Sequence, residues 1–179
     1  RDLDWARIDL PGARDLLVVS VHLHTSPAAD QVDAAQIVAA RIAEHRAAEP
    51  GCCWYVVGGD FNGQSSVSDK GFGAWKGEPV FFVDGPHPVG EDGAPGTNAS
   101  RSKQYDYVLL DTDLRAYQVP LVFDAMDGGQ PLTYPDGLVF DTRDFDDSVL
   151  DRYFWPAMEG DSGAPSMQHM GVIKAVRIP

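Results

Sequence analysis

Cysteine is nearly absent: the chain has two, Cys52 and Cys53, and they are neighbours. Their adjacency excludes a disulfide framework and a four-cysteine metal centre, and it makes an ordinary disulfide between them sterically poor. Positive charge is scarce as well. Against 27 Asp and Glu stand only 14 Lys and Arg, for a formal net charge of -13, which repels polyanions at long range and argues against recognition through a broad basic patch. Any phosphate that binds must be held locally, with help from a cation. No apolar run approaches the ~20 residues of a membrane-spanning helix, and no internal repeat occurs. The sequence opens on Arg1 rather than on methionine or an apolar leader, so the expectation is a processed, trimmed or partial chain.

What is present is an ordinary globular composition, 44% hydrophobic and 10% aromatic over 179 residues, enough for one domain with a sizeable core. Residues 5–10 alternate loosely, Pro11-Gly12 turns the chain, and Leu16 to Leu23 forms an apolar strand expected to be covered on both faces. That strand ends in His22-Leu23-His24. Asp30 is the expected N-cap of a helix from Gln31 to Glu49, with Ala35, Val38, Ala39 and Ile42 as its buried stripe and Pro50-Gly51 as its stop. Trp54 to Val57 starts the next strand, so the order is strand, helix, strand, the signature of a βαβ unit.

Further on the punctuation is weaker. Gly63 to Gly77 reads as loop or a short helical turn anchored by Phe72 and Trp75, Val80 to Val83 as a short strand, and Gly85 to Lys103 as a long surface loop. Gln104 to Leu110 is a convincing strand, with Arg115 to Val122 pairing nearby. Asp144, Asp146, Asp147 and Asp151 read as a solvated acidic face, and Gly171 to Ile178 as one closing strand.

Chemistry gathers at the strand ends. Gly58-Gly59 removes side chains where the strand stops, and polar atoms begin at Asp60 and Asn62. A carboxylate and a carboxamide two residues apart suit an oxygen-seeking cation and a phosphate ester: Asp60 carries charge or accepts a proton, and Asn62 donates and accepts without titrating. The same residues also make a common strand-to-loop turn. His22 at one strand end, Asp106 within another strand and His169 before the last complete a set of groups that layered α/β folds collect in one crevice.

With Val19-Ser20-Val21-His22-Leu23, Gly59-Asp60-Phe61-Asn62, Tyr105-Asp106-Tyr107-Val108-Leu109 and Gln168-His169 in this order, the sequence resembles the endonuclease/exonuclease/phosphatase superfamily, also called deoxyribonuclease I-like. The resemblance implies an α/β fold: half of a four-layer sandwich, one mixed β-sheet with a flanking helix, carrying a phosphoesterase site dependent on Mg2+ or Mn2+. By resemblance, Asp60 binds metal or orients the attacking water, Asn62 holds a phosphate oxygen, and Asp106 orients His169 toward the anionic transition state. His22 matches the family's strand-end histidine, with His24 as its rival, and Thr97 and Asn98 join Asn62 in binding substrate. His45 and His87 lack such context and read as solvated.

Two departures from the family pattern matter. Gln168 stands where the family carries aspartate, which removes a charge that would help bind a second metal. The family's early asparagine and metal-binding glutamate have no counterpart here, so residues 1–179 read as the C-terminal portion of one domain. The expected partner is the N-terminal half, as a separate or cleaved chain. The implied substrate is a phosphate ester, nucleic acid first, with phospholipid or inositol phosphate as alternatives and a non-catalytic binding module as the reading from another class.

Overall fold

The computed structural model describes residues 4–63, 71–77, 81, 86–124 and 129–178. The chain divides into two compact units, one made of residues 1–85, 107–117 and 176–179 and the other of residues 86–106 and 118–175. Each has its own apolar core.

The first unit is built on a mixed four-stranded sheet in the order β1-β2-β3-β4. β1 (Asp4–Ile8) pairs antiparallel with β2 (Asp15–His22), so the hairpin expected around Pro11-Gly12 forms. After the helix α1 (Ala28–Ala48), β3 (Cys53–Asp60) lies parallel to β2 over its full length, with Asp15 opposite Cys53 and His22 opposite Asp60. The strand-helix-strand unit is therefore present, and one mixed sheet with a flanking helix is the observed α/β architecture. β4 (Asp106–Leu110) completes the sheet. Tyr55 bonds to Asp111 through its backbone, whereas Gly58 lies beside Tyr107 and Val108. The two strands thus run in opposite senses, and β4 begins at the sheet edge where β3 ends.

Leu17, Val19, Val21, Tyr55 and Val57 bury one face of this sheet together with Ala35, Val38 and Ile42 of α1. The alternating side chains of β2 are only half-buried at Leu16 and Val18 and exposed at Ser20 and His22. The expectation of a strand covered on both faces is thus corrected to one buried face and one partly covered face. Period-two patterning cannot separate those cases when the second face is also apolar. On that second face Trp54, Leu110 and Leu114 form a smaller cluster with Leu16, Val56 and Val108 at its margin.

Several boundaries shift. α1 starts at Ala28 after Pro27, whose side chain makes no cap. Asp30 is therefore a first-turn residue that favours the positive end of the helix dipole, not the N-cap. Gln31 extends the buried stripe by one turn. Phe72 and Trp75 anchor a short 3-10 turn, Phe72–Lys76, as expected. Residues 64–70 of the preceding stretch lie outside the described residues, as does the expected strand Val80 to Val83 except for Phe81, which bridges to Asp111. Asp111 caps a short helix, α2 (Thr112–Arg115), by accepting from the Leu114 N–H, and its second oxygen accepts from the Tyr55 N–H. Burial raises the pKa of this carboxyl above its ordinary value, partly offset by those two backbone donors.

The second unit is built from short strand pairs. β5 (Gln118–Val119) pairs with β10 (Ala175–Val176), β6 (Leu121–Phe123) with β7 (Leu132–Tyr134), and β8 (Leu138–Phe140) with β9 (Gly171–Ile173). The single closing strand is thus corrected to two pieces, β9 and β10, with separate partners. The acidic stretch is also more than a solvated face. Asp146 caps the helix α3 (Asp147–Tyr153) by accepting from the Val149 N–H at 3.0 Å, and Asp144, half-buried, pairs with Arg101 at 2.6 Å; Asp146, Asp147 and Asp151 are exposed as expected.

Arg101 also reaches Asp92 at 2.7 Å and the buried Asp141 at 3.3 Å, and Arg143 meets Asp141 at 2.6 Å. Burial works against the Asp141 carboxylate, but the bonds from Arg143 and the charge of Arg101 outweigh it and hold the carboxyl below its ordinary range. A depressed folded-state pKa adds stability above the unfolded value of about 3.9, and that stability is lost as pH falls through the folded-state value. Asp141→Ala is expected to cost about 1–3 kcal/mol at neutral pH, because Arg143 loses its buried acceptor while Arg101 keeps Asp92 and Asp144. The variant should also lose part of the wild-type fall in stability between pH 5 and pH 2. Urea melts across that range test this; a variant as stable and as acid-sensitive as wild type would contradict it.

Candidate functional site

In the first unit the parallel register of β2 and β3 sets His22 beside Asp60 at the strand ends. His22 Nε2 lies 3.4 Å from Asp60 Oδ2, with the histidine side chain 58% exposed and the carboxylate 14% exposed. The other oxygen, Asp60 Oδ1, accepts from the Asn62 backbone N–H at 2.7 Å. Asn62 adopts a positive φ of 49°, which asparagine tolerates better than most residues. Its Nδ2 donates to the Leu23 carbonyl at 2.9 Å and has a second hydrogen to offer. His24, half-buried, lies past the strand end and outside this register. The geometry therefore sets His22, not His24, against Asp60.

Two residues that carry no chemistry shape this turn. Gly59 has φ 138°, and a Cβ there would sit 2.0 Å from the Val21 carbonyl oxygen, so the approach of β3 to β2 requires glycine. Buried Gln31 reaches from α1 to donate to the Phe61 carbonyl at 2.5 Å. Its position one helical turn before Ala35 was the signal available in the sequence.

In the second unit His169 Nδ1 and Asp106 Oδ2 are 2.8 Å apart, across 63 residues of sequence. The imidazole is 36% exposed and the carboxylate 15%. Backbone pairing between Asn98 and His169 and the bond from Met170 N–H to the Thr97 carbonyl tie the histidine segment to the loop at 97–98. Thr97 is fully buried, and its Oγ1 accepts from the N–H groups of Tyr105 and Asp106 at 2.9 and 3.0 Å. The expected substrate contact at Thr97 thus meets a hydroxyl already used to set the backbone of Asp106. Asn98 shapes its own loop: Oδ1 accepts from Lys103 N–H at 2.8 Å and Nδ2 donates to Ser100 at 2.9 Å. Gln168 is exposed, and its backbone carbonyl accepts from Ala99.

The oxygen donors suit a hard divalent cation. Mg2+ takes one or two carboxylates together with water and substrate oxygens, and Asp60 is a partly exposed carboxylate at a strand end. Gln168 offers an exposed amide oxygen of the same chemical class. Among the described residues no helix is long and apolar enough to cross a membrane.

No protein-family model matches the chain, and neither does any curated protein sequence. Among solved structures the chain is similar to beta toxin from Staphylococcus aureus, with 13% identity, 74% of this chain and 55% of that one covered, and a TM-score of 0.47. It is similar to sphingomyelinase C from Streptomyces griseocarneus, with 16% identity, 74% and 52% covered and a TM-score of 0.44. A third, from Bacteroides thetaiotaomicron, shares 10% identity, with 75% and 51% covered and a TM-score of 0.44. The chain spans about half the length of the structures it matches. That third structure is described as an endonuclease/exonuclease/phosphatase family protein, the family that the strand-end motifs of this chain resemble.

Proposed function

We propose that the chain is the part of a phosphoesterase that supplies Asp60, Asn62 and His22 from its first unit and the Asp106–His169 pair from its second. The observation that carries the proposal is the 2.8 Å bond between His169 Nδ1 and Asp106 Oδ2. A carboxylate that fixes one ring nitrogen orients the other, and an oriented N–H is what a developing phosphorane-like charge needs. Water attacks phosphorus in line, the bond to the leaving oxygen breaks, and Asp60 orients the water. Asn62, pinned by its own amide to Leu23, presents its remaining N–H to a phosphate oxygen. His22, exposed beside Asp60, supplies a second imidazole. Mg2+ or Mn2+ held by Asp60 would neutralise charge on the phosphate and polarise it; Gln168 is the other oxygen donor proposed for metal.

The substrate placed first is a phosphodiester of nucleic acid. With a net charge of -13, its recognition would be local and cation-assisted. The partly covered face around Leu16, Val56 and Val108 is proposed to pack against the N-terminal half of the domain, as a separate or cleaved chain. Residues 1–179 alone should therefore bind a hydrophobic dye that the assembled domain excludes; equal dye binding would remove that partner. For function the test is hydrolysis of bis-nitrophenyl phosphate and of DNA by the assembled protein. Activity should appear with magnesium or manganese and vanish with chelator. Full activity in chelator would overturn the metal-assisted reading, and cleavage of bis-nitrophenyl phosphate or sphingomyelin with no action on DNA would overturn the nuclease reading alone.

A further inference from the structure

At the opposite end of β3, about 23 Å from Asp60 at the usual rise of a strand, three soft-metal donors meet. Cys52 and Cys53 are joined as a disulfide, with their Cα atoms 3.8 Å apart, closer than in an ordinary one. One ring nitrogen of His45 and the two cysteine sulfurs lie within 4.8 Å of one another. His45 is thus not the solvated helix residue expected: its side chain is 16% exposed and its ring packs edge-on against Trp5 and Tyr55.

The surroundings are built like the second layer of a metal site. His45 Nδ1 lies 3.2 Å from the Tyr55 hydroxyl, which fixes the ring. Such outer partners hold ligating histidines in place. Glu49 Oε1 lies 3.9 Å from His45 Nε2, and its other oxygen pairs with Arg7 at 2.9 Å. The turn carrying the cysteines is pinned on both sides, by Cys52 N–H to the Glu49 carbonyl at 3.2 Å and by Asp15 N–H to the Cys52 carbonyl at 2.8 Å. Cys53 belongs to β3 and is buried. The donors therefore sit on rigid elements, as a metal site requires.

The geometry points to a redox-controlled zinc site formed by His45, Cys52 and Cys53, closed when the cysteines are joined and open when they are reduced. The exchange balances with a dithiol: its two sulfurs form a disulfide, the Cys52–Cys53 bond breaks, and two electrons and two protons pass to the cysteines. Zn2+ then displaces both thiol protons, giving two thiolates and one imidazole, a donor set that zinc takes in tetrahedral geometry. A harder cation such as Mg2+ would not compete for sulfur. The site is independent of the phosphoesterase reading, since it shares no residue with it.

The test compares one protein in two redox states. Wild-type protein is reduced, desalted under anaerobic conditions and titrated with Zn2+ against a chromogenic chelator; a second sample stays oxidised. Reduced protein should hold one Zn2+ per chain against the chelator, and oxidised protein none. With Co2+ the reduced protein should show a sulfur-to-metal charge-transfer band. Cys53→Ser should abolish retention, and Tyr55→Phe should weaken it about 10–100-fold, as loss of an outer partner does. Equal retention in both redox states, or no charge-transfer band, would overturn the proposal. Because the redox comparison and the cobalt spectrum need only wild-type protein, misfolding of a variant does not blunt the test.

Discussion

Asp60→Ala is expected to remove metal-dependent phosphodiester hydrolysis, a loss on the order of 10³-fold or more, since it deletes both the charge and the orienting oxygens at the strand end. Asp60 Oδ1 also holds the Asn62 N–H, so alanine disturbs the turn as well as the charge. Asp60→Asn separates the two effects, because an amide oxygen still accepts from that N–H while the charge is gone. If charge is what matters, the asparagine variant should be as inactive as the alanine one and melt at the wild-type temperature. Substantial activity in Asp60→Asn would assign the role to turn geometry and remove Asp60 from the proposed chemistry. The measurement is turnover of bis-nitrophenyl phosphate at saturating magnesium, with a thermal melt of each variant.

Asp106→Asn and His169→Ala are each expected to lower turnover by about two to four orders of magnitude, and the double variant by little more than either one. Groups that act as a unit lose their common contribution once, so their effects are far from additive. The 2.8 Å contact between them is the structural reason to expect coupling. Losses that multiply would mean that the two serve separate steps. The same assay separates the strand-end histidines. His22 faces Asp60 in the β2–β3 register and His24 does not, so His22→Ala should cost at least about ten times more than His24→Ala, within the range of acid–base groups. The reverse order would move the motif by two residues.

Local pattern was enough for much of this chain. The helix stripe of Ala35, Val38 and Ile42 is periodic in sequence and buried as read, and Pro50-Gly51 stops the helix where φ turns positive at Gly51. The hairpin at Pro11-Gly12 and the parallel pair around α1 follow from turn chemistry and spacing, both short-range signals. The candidate site was legible as types and positions: Asp60 and Asn62 after a pair of glycines, His22 at a strand end, and Asp106 and His169 in motifs that only a resemblance could join.

Tertiary structure decided what depends on partners distant in sequence. Nothing local shows that Thr97 is buried beneath Asp106, that Gln31 holds the Phe61 carbonyl, or that Arg101 gathers Asp92, Asp141 and Asp144. A charge run reads as solvated until its counter-ions are placed, and a histidine on a helix reads as solvated until Tyr55 and the cysteines are seen beside it. The break between β9 and β10 has the same origin, because alternation at Gly171 to Ile178 continues across Lys174 while the pairing partners change. Sequence determines which groups the chain can offer and the local elements that display them; register and long-range packing determine which of those groups meet, because their hydrogen bonds and contacts form between segments that no local period connects.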